Sequence, residues 1–570
     1  MAEMKTINTD VLIVGAGGAG LRAAFEADAL GAAVTLVDKS IVGRGGATVM
    51  ALCQACAALG FADEDDWRIH FEDTIKAGKL LNNQEMVEVL AKEAPDRLLE
   101  LERYGLRFDR LENGAIRQDR APGHSRKRAA FVNLHTGQAM VVALLRELKR
   151  HPRILKWNNV LVTRLLAEGG RMVGAVGLDI VRGEPVAFRA PAVVITTGGG
   201  SWLYPRNSGG PNLTGDGYAL ADRAGAELVD MEFPQFIATH ALYPRPLGVN
   251  VCFPSAVRYR TGGVLLNALG EQFLSRYAAE EVMSTRDAQC YAVAMEVRSG
   301  RGTPHGGVYC DLSTAGSAVM DREYGRRFLE RVKAAGVDIR EGPIEVGNDA
   351  HFFMGGVRVN PRCEASVAGL FAAGEAAGGV HGANRLTGNA LAELFVFGAR
   401  AGRFAAEYAC SAGRTDLPET MLADEAARLE LRRQPRPDRI RPLALRRQVG
   451  QLFWEHLGPI RCARGMRVTF DEVRRMREED LPRLSPANGF RVYNLDWVET
   501  LEAESMLDVA ETIAYAASVR KESRGAHFRE DYPQPESIWL KNIVIKREGD
   551  EMRHRLAPLV VTKFSAEASK

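Results

Sequence analysis

Gly15, Gly17 and Gly20 follow the apolar run Val11–Val14 as G-x-G-x-x-G, and Asp38 stands about twenty residues further on. Residues of these types at this spacing can hold a dinucleotide. Gly15 allows a tight turn, Gly17 lets a pyrophosphate approach the backbone, and Gly20 lets a helix pack closely on the strand. The first N–H groups of that helix have no internal partners and point at the anion. Asp38 accepts hydrogen bonds from ribose hydroxyls. A second glycine-rich stretch, Arg44-Gly-Gly-Ala-Thr48, lies just past the acid and can wrap another part of the same cofactor.

The elements that must position these residues follow in order. Val11–Val14 is unbroken and apolar, which suits a strand buried on both faces of a parallel sheet. Residues 21–30 are helix formers without Pro or Gly, and Gly31 is placed to end that helix. Residues 33–37 predict a second buried strand. Charge and hydrophobe alternate at helical spacing over 63–106, predicting two or three helices, and 141–150 predicts another. Residues 156–186 read as a β-meander and 192–197 as a further buried strand. Thr214-Gly-Asp-Gly-Tyr218 opens a helix over 219–226. One nucleotide fold is therefore split by an inserted meander. Residues 231–354 carry many of the prolines and few long apolar runs, which predicts an inserted domain. A strand at 369–374 returns to the first domain, and a helix runs from near Asn389 to about Cys410. Beyond Thr420 the chain predicts charged helices broken by Pro435 and Pro437, and it closes with strand-like runs.

The chain has 570 residues, enough for several domains with a substantial core. Hydrophobic residues make up 46% and charged ones 26%, the balance of a globular protein, and a net charge of +2 speaks against nucleic acid as the main partner. No apolar run is long enough to span a membrane, and the first strand leaves no room for a signal peptide. Of eight cysteines only Cys53 and Cys56 are close together. That spacing predicts no metal or iron–sulfur site in this chain, a Cys53–Cys56 pair packed on a helix, and a reducing cytoplasm.

Several longer stretches now matter together: VGAGGAG at 14–20, TGDGYALADRAGA at 214–226, MEFPQF at 231–236, HFFMGG at 351–356, AAGEAAGGVHGANRLTGNAL at 372–391 and SRGAHFREDYP at 523–533. Over nearly its whole length the chain resembles the flavoprotein subunits of fumarate reductase and succinate dehydrogenase, whose relatives include L-aspartate oxidase and the α-subunit of adenylylsulfate reductase. The resemblance implies an α/β fold: a Rossmann-like FAD-binding domain (1–235 and 356–415), an inserted α+β capping domain (236–355), a helical domain (416–535) and a small C-terminal domain (536–570). Substrate would lie between flavin and cap. The implied FAD contacts are Gly15, Ala16, Gly17, Gly18, Ala19, Gly20, Asp38, Lys39, Arg44, Gly45, Gly46, Ala47, Thr48, Asp216 and Glu375, with Ala390 and Leu391 near the isoalloxazine ring. Many family members tether FAD through the histidine of a Ser-His-Thr sequence. The matching stretch here is Gly46-Ala47-Thr48, so non-covalent FAD is expected.

The resemblance also implies the reaction. Hydride adds to a C=C bond when an attached carboxylate or carbonyl is polarised by cations, and an acid protonates the other carbon. Arg286 matches the family's acid; His351 and Arg385 match the residues that grip the substrate carboxylate, Arg385 bidentately. Arginine alone is a poor acid, so Arg286 needs help from its neighbours. Two stretches depart from the family. Gln235-Phe-Ile-Ala-Thr239 replaces Gln-Phe-His-Pro-Thr, and Ala256-Val-Arg-Tyr-Arg-Thr-Gly-Gly263 lacks both family glutamates but carries Arg258 and Arg260. The expectation is a more positive pocket and an acceptor larger or more anionic than fumarate. The expected protein is a cytoplasmic FAD-dependent oxidoreductase acting on a small anionic substrate. Its expected partner is a separate iron–sulfur subunit. No direct membrane span is expected, and any attachment to the inner membrane would be made through that partner. The alternatives are chemistry like adenylylsulfate reductase, an oxidase like L-aspartate oxidase, and an electron-transfer subunit without turnover.

Overall fold

The run Val11–Val14 is the central strand of a five-stranded parallel sheet in the computed structural model, which describes residues 4–244 and 251–564. Val34–Asp38 and Ala192–Ile195 flank it, with Leu155–Asn158 and Leu370–Ala372 outside them. A strand flanked on both sides and covered on both faces has no position facing water, which is why Val11, Leu12 and Ile13 are all apolar and fully buried. The helix Gly18–Ala29 follows directly. It can approach the strand because Gly20 lacks a side chain: a Cβ there would stand 1.9 Å from the Gly15 carbonyl oxygen. Gly15 has φ +100°, a conformation that a side chain would strain. The 24-residue helix Asn389–Ala412 packs along Gly18–Ala29.

The meander differs from its sequence reading at its start. Leu155–Asn158 belongs to the parallel sheet, and Asn159, at φ 56°, turns the chain into the next one. Asparagine tolerates that left-handed conformation better than most residues. The antiparallel strands Val160–Glu168, Arg171–Asp179 and Glu184–Arg189 then follow, and Lys5–Asn8 adds a parallel edge. Residues 63–106 hold the helices Trp67–Ala77 and Gln84–Arg103.

Residues 234–353 hold a separate four-stranded antiparallel sheet, ordered Pro234–Tyr243, Ile344–Phe353, Val308–Asp311 and Val264–Leu266. Helices including Ser255–Thr261 and Arg286–Glu296 accompany it. Towards the C-terminus, Pro442–His456 and Ala463–Arg475 pack on the 25-residue helix Leu495–Val519, which is buried along most of its length. The final hairpin, Lys541–Glu548 and Glu551–Pro558, pairs with Leu228–Val229 and continues through Gly356–Arg358 to Ala377–Gly378. A continuous sheet thus joins the chain's end to its first region.

One buried cation ties the helical part to the nucleotide-type sheet. Lys39 Nζ donates to Asp216 Oδ2 and Glu502 Oε1, both at 2.6 Å, and to Thr214 Oγ1 at 2.7 Å. Glu502 comes from Leu495–Val519. Burial works against the lysine's charge, but the two carboxylates outweigh it and hold the ammonium above its usual range.

The close approach at Gly20 gives the first test. Gly20→Ala is expected to cost about 2 kcal/mol through forced separation of helix and strand. The measurement is the midpoint of urea unfolding, and an unchanged midpoint would contradict the contact.

Candidate active site

A long cavity runs from the carboxyl ends of the parallel strands to the cap-like sheet, with about 1650 Å³ of empty space, its open mouth included. Ligands of open α/β sheets bind at such strand ends. Gly15, Ala16, Gly17, Gly18 and Ala19 line it, as do Asp38, Lys39 and Asp216. Gly45, Gly46, Ala47 and Thr48 form another part of the wall, and Glu375, Ala390 and Leu391 a third. Arg286, His351 and Arg385 line the same cavity. Two of the expected contacts stand elsewhere. Gly20 is spent on the helix–strand approach, and Arg44 is exposed at the end of a turn in which its N–H donates to the Ile41 carbonyl at 2.8 Å.

The walls fit a dinucleotide. A Cβ on Gly17 would meet only Thr48 Oγ1, at 3.7 Å, and one on Gly46 would meet nothing within 4 Å, so bare backbone faces the space. The helices Gly18–Ala29 and Asn389–Ala412 begin after Gly17 and Gly388 with no cap from those residues; Gly18 N donates to Thr48 Oγ1 and Asn389 N to the Leu386 carbonyl, both at 3.2 Å, and the next first-turn N–H groups are left for an anion. Asp38 also braces the turn: its Oδ2 accepts from Ala16 N at 2.8 Å, and its Oδ1 from Ser40 N and Oγ at 2.8 and 2.7 Å. Lys39 is committed to Asp216 and Glu502, so in this protein it holds the wall together.

Three groups bring positive charge or hydrogen bonding to the cap side. Arg286 opens the helix Arg286–Glu296, and its Nη1 donates to Gln235 Oε1 at 3.1 Å. Gln235, from the strand Pro234–Tyr243, donates through Nε2 to Asn384 Oδ1 at 2.8 Å and to the Arg385 carbonyl at 3.0 Å. One amide therefore positions Arg286 against the loop that carries Arg385. The Arg385 guanidinium lies 4.3 Å from the Phe352 ring centroid, is 3% exposed, and has no partner for its buried Nε among the described residues. Burial, then the Arg286 charge, pull Arg385 well below the usual arginine range. Burial lowers Arg286, beside which lie the thiols of Cys53, Cys252 and Cys290, themselves kept protonated by burial. His351 Nδ1 meets Ser208 Oγ at 2.7 Å, and burial followed by both arginines keeps the imidazole well below its ordinary value.

Sequence reasoning missed Gln235 and Ser208 as partners of these residues. Gln235 lay inside a recognised stretch, but only the β-strand pairing shows what its amide does. His381 packs edge-on against Phe352, with ring centroids 5.3 Å apart, and so holds the loop. Cys53 lies in a loop and Cys56 on the short strand Ala55–Cys56, which packs against the helix Asn389–Ala412, and the Cys56 Sγ donates to the Thr387 carbonyl at 3.4 Å. The expected extra positive charge from Arg258 and Arg260 is absent from the cavity wall. Arg258 is fully buried and bonded to the Phe253 carbonyl, Ser255 Oγ and Gln289 Oε1, while Arg260 pairs with Glu323 and Asp119.

Two acids lie close to this site. Glu375 Oε1 accepts from Phe353 N at 2.9 Å, and burial pushes its carboxyl up to about 7. Glu393, on the helix Asn389–Ala412, is pushed to about 8 by burial and then by Glu375.

A family model described as an FAD binding domain matches residues 10–391, and one described as the fumarate reductase flavoprotein C-terminus matches 446–570. A subunit of the CoM/CoB fumarate reductase of Methanothermobacter marburgensis is 39% identical over 551 residues, covering 96% of this chain and 98% of that one. The succinate dehydrogenase flavoprotein subunit of Rickettsia felis is 33% identical over 582 residues, covering 96% of this chain and 93% of that one. Among solved structures, a variant FrdA chain of Escherichia coli quinol fumarate reductase superposes with a TM-score of 0.93 at 33% identity, covering 99% of this chain and 98% of that one.

The buried acids make stability depend on pH. A carboxyl raised from 4.5 to about 8 favours the folded state below pH 4.5, and that contribution is lost as pH rises to about 8. Glu393→Gln should therefore gain stability relative to the parent as pH rises through this window. Urea midpoints of both proteins across it check this; parallel curves would place Glu393 in water.

Proposed function

The chain belongs to the flavoprotein-subunit family of fumarate reductases and succinate dehydrogenases, and on that premise we propose that Arg286, His351 and Arg385 form an active site for adding or removing hydrogen across a carbon–carbon bond beside a carboxylate or thioester. The protein is an FAD-dependent oxidoreductase. The observation that carries the site assignment is the pair of guanidiniums in one cavity with no carboxylate bonded to either among the described residues. Charges removed from water in this way are stabilised by an anion.

The backbone of Gly15 to Ala19, with the Gly17 and Ala19 amides as donors, would hold the FAD pyrophosphate, Asp38 the ribose, and Glu375, Ala390 and Leu391 the flavin side, at the start of Asn389–Ala412. When bound, FAD supplies hydride exchange at N5. The chain's own groups do the rest. Arg385 and His351 orient the substrate carboxylate and stabilise the negative charge that builds up there in the transition state. His351 acts as a neutral hydrogen-bonding imidazole, because its environment disfavours protonation. Arg286 holds and delivers the proton. Its burial lowers the cost of losing that proton, which answers the objection that a free guanidinium is a poor acid. Gln235 fixes the angle from which it is delivered.

The proposed division is an FAD-binding domain at 1–235 and 356–415, a cap at 236–355, a helical domain at 416–535 and a C-terminal segment at 536–570. The separate sheets on either side of residues 234 and 353 support it. A separate iron–sulfur subunit is the proposed electron partner. The relatives are named as subunits, and the eight cysteines here are dispersed. No helix among the described residues is long and apolar enough to cross a membrane, so contact with one would run through the partner. The reading like adenylylsulfate reductase loses its support with Arg258 and Arg260 outside the cavity wall.

Arg286→Ala is expected to slow acceptor-driven reoxidation of the photoreduced flavin by about a thousandfold while leaving the flavin bound. Stopped-flow absorbance measures the rate, and an unchanged rate would remove Arg286 from the chemistry. With Ala47 where the family's tethering histidine stands, FAD should be held without a covalent bond. Acid precipitation should leave a colourless pellet and a yellow supernatant; a yellow pellet would show a tether.

A further inference from the structure

We infer that the substrate of this site carries a single carboxylate and an uncharged far end, as in a 2-enoic monocarboxylic acid, rather than the two carboxylates of fumarate or succinate. The inference rests on the function proposed above and narrows it. Its first ground is the distribution of charge in the cavity. Among the described residues, the cationic side chains in its wall are Lys39, Arg286 and Arg385. Lys39 is already neutralised by Asp216 and Glu502. Arg286 and Arg385 line one cavity and both act on His351, so they form one cluster; with Arg286 given to proton delivery, Arg385 and His351 are left to grip one anionic group.

The second ground is the wall beside that cluster. The strand Pro234–Tyr243 passes this cluster, with register shifts against Ile344–Phe353. Two residues beyond Gln235, which holds Arg286, Ile237 lines the cavity at 9% exposure. Cys252 and Cys53 complete this part of the wall. Burial pushes the Cys252 thiol up to about 12 and raises Cys53 as well, so both are neutral at physiological pH. The groups that could grip a second carboxylate are turned elsewhere. Arg258 and Arg260 are bonded as described, His240 Nδ1 lies 2.8 Å from Asp349 Oδ2, and Thr239 Oγ1 donates to the Phe253 carbonyl at 2.9 Å. None of the four lines the cavity. Gln54 and Thr387 do line it, and they can offer a hydrogen bond but no charge. A second carboxylate set against Ile237 and Cys252 would be stripped of water and left uncompensated. An alkyl or aryl group would instead bury apolar surface there.

The chemistry balances for such a substrate. With FAD bound and reduced, the β-carbon would take a hydride, with its electron pair, and the α-carbon a proton from Arg286; the C=C bond would become a single bond, the cofactor would be oxidised by two electrons, and Arg286 would regain its proton from solvent.

The test uses the FAD-loaded protein in two measurements. In the first, crotonate and fumarate are compared as oxidants of the photoreduced flavin. In the second, butyrate and succinate are titrated into the oxidised protein and read by the flavin difference spectrum. Crotonate should be faster, and butyrate tighter, each by about tenfold or more. Ile237→His should narrow both ratios. Succinate binding as tightly as butyrate to the unaltered protein would overturn the inference, whether or not the variant folds. Failure of both crotonate and fumarate to reoxidise the flavin would overturn the proposed reaction instead, and the titration would still decide the number of carboxylates.

Discussion

Two guanidiniums withdrawn from water, with no carboxylate bonded to either among the described residues, are the constraint that the rest of the site answers to. Arg286 is supplied by the inserted sheet-and-helix region and Arg385 by the loop before Asn389–Ala412. Each is steadied without being discharged, Arg286 by the Gln235 amide and Arg385 by the face of Phe352. A carboxylate in place of Gln235 would stabilise the empty protein and blunt the attraction for a ligand. The fold instead tolerates an unfavourable charge and lets the ligand relieve it. Because the two arginines come from different regions, a bound anion also bridges those regions.

The rest of the architecture brings the reacting groups to that point. The parallel sheet offers its carboxyl ends, bare glycine backbone and two uncapped helix starts, all to one cavity. The antiparallel sheet brings Gln235, Ile237 and His351 over it on neighbouring strands. Glu375 and Glu393 are the compromise. They sit where water is excluded, and their carboxyls respond by holding protons more tightly than usual.

Much of this was legible in the chain because the first region obeys local rules. Glycines that permit a turn, an unbroken apolar strand and an acid at the next strand end are all read within forty or so residues, and the structure places them together. Arg286, His351 and Arg385 could be named only through resemblance, since residues far apart in sequence meet through the pairing of Pro234–Tyr243 with Ile344–Phe353. The destination of long polar side chains was not legible. Arg258 and Arg260 look in sequence like added positive charge for the pocket, yet each finds acceptors behind the wall. Lys39 is named in sequence only as an FAD contact, and its ion pairs make it a strut as well. The start of the meander was misplaced because Asn159 leaves no apolar break, only a reversal of backbone hand.

The lysine strut has a reach beyond its own neighbourhood. Asp216 stands in the wall of the nucleotide cleft, while Glu502 belongs to the spine around which the C-terminal helices gather. A ligand that orders the first necessarily firms the second through their shared ammonium, and loosening of the spine is felt in the cleft by the same route. Binding in the cleft and docking of a protein on those outer helices would then bias each other reciprocally, to the extent that the ammonium couples Asp216 to Glu502.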